Sequence, residues 1–74
     1  MTKRRVMTEI YKFIGERITG ARIENGYSQK EFAEQIDVSI QQVAKYEKGK
    51  NRIPVDKLLI LSQFVDKDIL YFLE

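Results

Sequence analysis

The chain has 74 residues, of which 43% are hydrophobic and 32% charged, with 13 Lys and Arg against 11 Asp and Glu. Its length suits one small domain, residues 1–74, whose core is only just sufficient by itself. Because the sequence contains no Cys and no His, it excludes disulfides, thiolate or imidazole metal ligands, and catalysis by either side chain. The remaining Asp, Glu and Tyr residues have no converging spacing. We therefore expect no enzyme activity, no metal site and no cofactor.

Charge is distributed unevenly along the chain. Residues 1–27 carry six Lys or Arg against three Glu, and residues 39–54 carry four against Glu47 alone. Residues 28–38 and 55–74 each have two more carboxylates than cations.

No apolar run approaches the roughly 18 residues of a membrane span, and the first residues lack the apolar centre of a signal peptide. We expect a soluble cytoplasmic protein without membrane contact.

The first predicted helix follows a basic arm, residues 1–7, which contains three consecutive cations. From about Thr8, residues at helical spacing form one stripe, which consists of Ile10, Ile14, Ile18, Ala21 and Asn25. Gly26 is suited to end this helix, because glycine readily adopts the left-handed backbone found after a helix C-terminus.

Residues 28–48 contain two helix-start signals that lie eleven residues apart. Ser28 can accept a backbone N–H bond at a helix start while Glu31 reaches back to the Ser28 amide, which is a capping box. A second cap residue, Ser39, opens another helix that stops at Gly49. The inward face of the earlier helix would consist of Phe32, Ala33 and Ile36. We therefore predict two short helices joined by a tight turn.

The second of these helices has two different faces. With about 3.6 residues per turn, Val43 and Glu47 point to one side. The opposite side is polar, basic and free of carboxylates, and consists of Gln41, Ala44, Lys45 and Lys48. One interpretation is an ordinary solvated surface. The other is a reading surface, because Gln and Lys near a helix start can hydrogen-bond base edges and phosphates in a DNA major groove.

The sequence resembles the Cro/repressor helix-turn-helix proteins, the XRE family, over roughly residues 14–72. The most telling feature is the spacing from Ser28 and Gln29 to Glu47 and Gly49. The other residues that carry the pattern are Arg22, Gly26, Phe32, Ala33, Ile36, Val38, Ser39, Val43, Tyr46 and the segment 58–61. The resemblance implies an all-α, five-helix, lambda-repressor-like domain whose helix-turn-helix motif spans residues 28–48 and whose partner is double-stranded DNA.

The resemblance also implies roles for individual residues. The residues facing the bases would be Ile40, Gln41, Ala44 and Lys45. The residues contacting phosphates would be Gln29, Ser39, Gln42, Lys48, Lys50, Asn51 and Arg52. Arg22 would form an ion pair with Glu47 that ties the first helix to the third, the alternative being two unrelated surface charges. Asp37 departs from the pattern, since many relatives have Gly at this turn, where a left-handed backbone is favoured and Asp is somewhat strained.

The C-terminal third is predicted to form two further helices. Pro54 would lie in the first turn of the fourth helix, whose core face consists of Leu58, Leu61, Ser62 and Val65. Residues 68–74 are dense in apolar side chains, and one short fifth helix cannot bury all of them in its own domain. The excess predicts a homodimer whose contact consists of Ile69, Leu70 and Tyr71, with Ile60 or Phe64 flanking it. The alternative is that this segment folds back onto the first helix and leaves a monomer.

Two functions from different classes fit these features. The first is a nucleoid-associated transcriptional regulator, a repressor, that binds a pseudo-palindromic operator as a homodimer. Because the chain ends straight after the motif-bearing unit, we expect no small-molecule ligand, and regulation by concentration, a protein partner or cooperative binding. A phage-type repressor, a restriction-modification controller and an antitoxin stay open within this class. The second function is a protein-interaction module that keeps the fold without DNA binding, although such a module has no need of the basic face.

Overall fold

The computed structural model describes residues 7–74, so most of the predicted basic arm, residues 1–7, lies outside the described residues. The described part is all-helical, and its five helices are α1 Met7–Glu24, α2 Gln29–Ile36, α3 Ile40–Glu47, α4 Val55–Phe64 and α5 Leu70–Leu73. This confirms the predicted fold class. Within the same residues, no helix combines the length and the apolar character that crossing a bilayer requires.

Residues from all five helices form the core. Helix α1 packs against α3 and α5, and α2 packs against α3 and α4. The buried apolar residues are Ile18, Ala21, Phe32, Ala33, Ile36, Val43, Tyr46, Ile53, Leu58, Leu61, Val65 and Phe72. Ser62 is buried with them, so the predicted inner faces of α2 and α4 are confirmed. On α1, Ile18 and Ala21 are buried and Ile14 is half-buried.

The two motif helices begin at the predicted cap residues. The Ser28 hydroxyl accepts a hydrogen bond from the Glu31 amide at 3.0 Å, and the Glu31 carboxylate accepts one from the Ser28 amide at 2.8 Å. The Ser39 hydroxyl likewise accepts a bond from the Gln42 amide at 3.0 Å. These bonds satisfy backbone groups that helix starts leave unpaired. They therefore fix which side chains the first turn of α3 presents.

Two helix ends differ by one residue from the sequence prediction. The sequence predicts Pro54 in the first turn of α4, but its ψ of 146° is extended, so Pro54 is the N-cap and the helix begins at Val55. Helix α1 ends at Glu24, and Asn25, predicted on its inner stripe, is exposed. The Asn25 side chain donates a hydrogen bond to the Ala21 carbonyl at 2.7 Å. Neither shift moves a residue of the motif.

Two glycines let the backbone of α1 approach the C-terminal end of α3 and the loop after it. A Cβ atom added to Gly15 would collide with the carbonyl oxygens of Tyr46 and Glu47. One added to Gly49 would lie 2.6 Å from the Cα of Lys12, and Gly49 also has a φ of +73°. The sequence predicts Gly49 only as a helix stop and assigns no role to Gly15. Helix α1 is thus a direct backbone support for α3.

Asp37 has the left-handed conformation expected for the turn between α2 and α3, with a φ of 57° and a ψ of 51°. Its backbone amide donates a hydrogen bond to the Ala33 carbonyl, which ends α2. Asp66, which follows α4, has a similar φ of 56° that the sequence does not predict. An aspartate therefore takes the place usually held by glycine at two helix ends.

We expect Asp37→Gly to leave stability unchanged or to raise the free energy of unfolding by on the order of 1 kcal/mol, because glycine relieves the left-handed strain. The added freedom of the unfolded chain offsets part of this gain. Thermal unfolding measures the difference. Glu34→Gly, at an exposed helical position of α2, is the matched control and should lower stability by about 1 kcal/mol. A clear fall in melting temperature for Asp37→Gly would contradict the prediction.

The apolar residues of the C-terminal segment divide between the core and the surface. Phe72 is fully buried, and Ile69 is half-buried. Leu70 and Leu73 are 50% and 48% exposed. One turn of helix therefore buries only part of this segment within its own chain.

Two residues named for the predicted dimer contact are engaged within the chain. Tyr71 is half-buried, and the Arg17 guanidinium of α1 lies 5.0 Å from the centre of its ring. Phe64 stacks on Tyr27 with ring centres 4.3 Å apart. Part of the segment thus folds back onto α1, as the alternative prediction has it. Ile60, at 40% exposed, is more accessible than Phe64 as a flanking residue.

Candidate nucleic-acid interface

Helix α3 has one buried face and one exposed face. Val43 is 1% exposed, Tyr46 7% and Glu47 9%. On the other face, Ala44 is half-buried, and the exposed residues are Ile40, Gln41, Lys45 and the C-cap Lys48. Glu47 is the only carboxylate of this helix, and it lies on the buried face. The exposed face is therefore polar and basic without a competing negative charge.

The Glu47 carboxylate joins three helices through hydrogen bonds. Arg22 of α1 donates from Nε to Oε2 at 2.7 Å and from Nη2 to Oε1 at 3.2 Å. Gln29 of α2 donates from Nε2 to Oε1 at 3.0 Å. Arg22 also donates from Nη1 to the Tyr27 carbonyl at 3.1 Å. The buried charge is thus paired by a bidentate guanidinium, and the C-terminal end of α3 is tied to α1 and to the start of α2.

Gln29 is the first residue of α2, and its side chain is half-buried. The resemblance implies a phosphate contact for this residue. One N–H of its amide is already donated to Glu47, which leaves the second N–H and the carbonyl oxygen. The first backbone N–H groups of α2 also lack partners within the helix and favour an anion. The phosphate contact of Gln29 stays a prediction, with the amide held in one orientation.

The loop between α3 and α4 carries the predicted phosphate-contacting residues Lys50, Asn51 and Arg52, all of which are exposed. The Lys50 amide donates a hydrogen bond to the Lys45 carbonyl at 2.9 Å. Ile53, at the end of the loop, is 9% exposed and belongs to the core. The loop is therefore fastened at both ends beside α3, and its two cations face solvent.

Two of the residues predicted at phosphates bond to each other. Gln42 donates from Nε2 to Asn51 Oδ1 at 3.1 Å, and Asn51 donates from Nδ2 to the Lys50 carbonyl at 2.9 Å. Ser39 uses a lone pair of its hydroxyl for the helix cap, so its O–H hydrogen stays available to a phosphate. The structure thus brings the first turn of α3 into contact with the basic loop.

Two supporting residues are missed by sequence reasoning. Lys57 of α4 donates from Nζ to the Ile36 carbonyl at 2.9 Å and so ties α4 to the last turn of α2. A lysine in the first turn of a helix is normally solvated, so nothing local marks this bond. Gly15 offers a weak signal, because a glycine inside a helix costs about 1 kcal/mol and often indicates close packing.

Comparison with known proteins identifies the family. Residues 20–72 match the family model described as helix-turn-helix. An uncharacterized HTH-type transcriptional regulator of Rickettsia prowazekii is 42% identical over 72 residues, which cover 97% of this chain and 55% of that protein. One from Rickettsia conorii is 42% identical over 72 residues, which cover 97% of this chain and 58% of that protein. The chain therefore spans little more than half the length of these curated relatives.

Two solved structures share the fold. The restriction-modification controller protein C.AhdI from Aeromonas hydrophila has a TM-score of 0.76 and 21% identity, covering 84% of this chain and 94% of that one. The DNA-binding domain of BldD has a TM-score of 0.77 and 23% identity, covering 90% of this chain and 97% of that one. At such identities the likeness concerns the fold alone. With the family match over residues 20–72, the chain belongs to the helix-turn-helix family, of the Cro/repressor (XRE) type.

Proposed function

We propose that the chain is a sequence-specific DNA-binding regulator that represses transcription by binding a pseudo-palindromic operator as a homodimer. The observation that carries this proposal is the division of α3 into a buried face, which ends in the anchored carboxylate of Glu47, and an exposed polar face. A helix that is held by its inner side offers its outer side chains to a major groove. A merely solvated helix has no need of a basic face without carboxylates.

Four residues read bases in this proposal. The Gln41 amide forms two bonds with adenine N6 and N7, and Lys45 donates to guanine O6 or N7, or to a phosphate. Ile40, at 43% exposed, and Ala44 contact thymine methyl groups. The polar pair discriminates between bases by hydrogen bonding, and the apolar pair does so by shape.

The remaining residues fix the protein on the phosphate backbone. Lys48, Lys50 and Arg52 are exposed cations at the end of α3 and in the loop after it. Each phosphate that they neutralise releases condensed counterions, so the affinity falls as the salt concentration rises. Gln29 and Ser39 add neutral hydrogen bonds. Such contacts set the register of α3 on the duplex without reading sequence.

A homodimer doubles the number of bases that are read. The half-exposed side chains of Leu70 and Leu73 support a contact between copies at α5. If the two α3 helices lie one DNA turn apart, about 34 Å, the half-site centres are about 10 base pairs apart. A dimer bound over a promoter excludes the polymerase, so repression requires no additional surface.

Selection of bound fragments from a random-sequence duplex library tests the proposal. We expect enrichment of one pseudo-palindromic sequence, with binding that weakens as salt rises. A protein-interaction module of the same fold would enrich no sequence, and that result would refute DNA reading. Repression is tested with a reporter gene that carries the selected operator, whose transcription should fall when the chain is produced.

We expect Gln41→Ala to relax base preference at one position of each half-site and to cost about 1–3 kcal/mol of binding free energy. The residue is exposed on the outer face of α3, so thermal unfolding should be unchanged. Titration against the operator and against all single-base variants measures the preference. Gln35→Ala, at an exposed position of α2, is the matched control. Unchanged preference in Gln41→Ala would show that Gln41 reads no base.

Replacement of Lys50 and Arg52 by Ala should weaken binding to operator and to random duplex by the same factor. We expect the slope of log affinity against log salt to fall by about 0.9 for each contact removed, because fewer counterions are released. Titrations over a salt series measure the slope. A loss confined to the operator, with an unchanged salt slope, would contradict an anchoring role.

A further inference from the structure

The side chains of Gln42 and Asn51 connect the first turn of α3 with the loop that follows the helix. They are nine residues apart in sequence, and the Gln42 Nε2 to Asn51 Oδ1 distance is 3.1 Å. This bond spans the helix from its third residue to a point beyond its C-cap. Together with the backbone bond from the Lys50 amide to the Lys45 carbonyl, it links the base-reading helix to the segment that carries Lys50 and Arg52.

The neighbouring backbone determines which way both amides face. The Lys50 carbonyl can only accept a hydrogen bond, so it requires the Asn51 nitrogen, Nδ2, which lies 2.9 Å away. The Asn51 oxygen must then point to the other side, towards α3. An oxygen there requires a donor, which fixes the Gln42 amide with its nitrogen towards the loop. Gln42 thus donates to Asn51, and Asn51 donates to the Lys50 carbonyl, so two consecutive hydrogen bonds connect α3 with the loop backbone.

Apart from the bond between Gln42 and Asn51, the loop between α3 and α4 is fixed mainly at its two ends. Gly49 lies against the backbone of Lys12, and its Cβ would be 2.6 Å from the Cα of that residue. Ile53 is buried in the core. Between these points the side chains of residues 50–52 are exposed, and the Gln42 to Asn51 bond is a constraint on them from α3.

We propose that Gln42 and Asn51 are positioning residues, which hold the basic loop in register with the base-reading face of α3. The inference rests on the proposed function, and it replaces the two separate phosphate contacts implied by the resemblance. The ligand is the phosphodiester backbone beside the major groove that α3 enters. Because Lys50 and Arg52 have long side chains, their phosphate contacts need a fixed loop backbone to act together with Gln41.

The bond itself is tested in the free protein. In nuclear magnetic resonance spectra, Gln42→Ala should shift the side-chain amide signals of Asn51 and the backbone amide signals of the loop. Gln35→Ala, at an exposed glutamine of α2, is the matched control and should leave these signals in place. Unshifted Asn51 signals in Gln42→Ala would overturn the proposal without any reference to DNA.

A double-mutant cycle on DNA affinity tests the positioning role. The probe is the duplex selected from the random library, and the variants are Gln42→Ala, Asn51→Ala and both together. We expect each single change to weaken binding about two- to tenfold, the effect of one hydrogen bond, and the double change to weaken it no further. Two independent phosphate contacts would give losses that multiply, and that result would overturn the proposal.

A matched control separates positioning from general loss of stability. Asn25→Ala removes a side-chain amide bond of 2.7 Å to the Ala21 carbonyl, at the end of α1. It should lower the melting temperature about as much as Asn51→Ala while leaving DNA affinity unchanged. Equal loss of affinity in Asn25→Ala would overturn the positioning role. Failure of the unmodified chain to select any sequence would refute the proposed function as well, whereas multiplied losses refute this inference alone.

Discussion

Glu47→Ala is expected to lower the free energy of unfolding by about 3–5 kcal/mol, because removing one partner of a buried ion pair leaves the other uncompensated. The side chains of Glu47 and Arg22 are only 6% and 15% exposed, and their closest distance is 2.7 Å. Without the carboxylate, the Arg22 guanidinium and the Gln29 amide lose their shared acceptor. For a domain of this size, such a loss is a large part of the total stability. Chemical denaturation of both proteins measures it.

The pair between Lys67 and Glu24 is the matched control. Its N–O distance is 3.2 Å, and the Glu24 side chain is 60% exposed. Water screens such a pair, so Glu24→Ala should change stability by no more than about 1 kcal/mol. A similar small change in Glu47→Ala would contradict the idea that its carboxylate is a structural anchor.

We expect Glu47→Ala to weaken DNA binding directly, in addition to lowering the stability of the fold. Glu47 is the last residue of α3, and its bonds connect that end to α1 and to the start of α2. Under conditions where the Glu47→Ala protein is fully folded, we expect weaker operator binding, because the C-terminal end of α3 loses its side-chain bonds to α1 and to the start of α2. If the folded Glu47→Ala protein bound the operator with full affinity, the Glu47 carboxylate would stabilise the fold without contributing to DNA binding.

Much of the motif could be predicted from sequence because its signals are local. A helix start depends on a cap residue and on the residue three positions later, and both lie close together in the chain. The capping box of Ser28 and the cap at Ser39 follow from this rule. The faces of α3 follow from the helical repeat once its first residue is known, which explains the burial of Val43 and Glu47.

The rest could not be predicted because it depends on how separate elements pack. The contact of Gly15 with the carbonyls at the end of α3 brings together residues that are more than thirty positions apart in the sequence. The orientation of the Gln42 amide depends on a loop carbonyl. The resemblance names Gln42 and Asn51 as residues near DNA, but it carries no information on the bond between them.

The packing of the C-terminal segment could be predicted only in part from the sequence. The sequence supplies the number of apolar residues, and this number exceeds what one helical turn can bury. How the excess is shared depends on tertiary contacts, which cover Tyr71 with Arg17 and leave Leu70 half-exposed. A prediction of the dimer contact from composition alone therefore cannot rank these residues. The structure favours Leu70 as the position at which a dimer is best disrupted without damage to the chain itself.

We expect Leu70→Asp to convert a dimeric chain into a monomer that retains its fold. A charge at this position would be buried at the contact between copies, where it is costly, but is solvated in the monomer. Because a dimer binds its second half-site intramolecularly, the monomer should bind the full operator about 10²- to 10⁴-fold more weakly. Sedimentation at micromolar concentration measures the mass, and titration with the operator measures the affinity.

Ile23→Asp is the matched control for this change. Ile23 is 63% exposed on α1, so the substitution introduces the same charge at another exposed apolar residue. It should leave the mass, the melting temperature and the operator affinity unchanged. If the original chain already sediments as a monomer, or if Leu70→Asp remains a dimer, then α5 does not form the contact between copies. A monomeric Leu70→Asp protein with unchanged operator affinity would show instead that the two half-sites are bound independently.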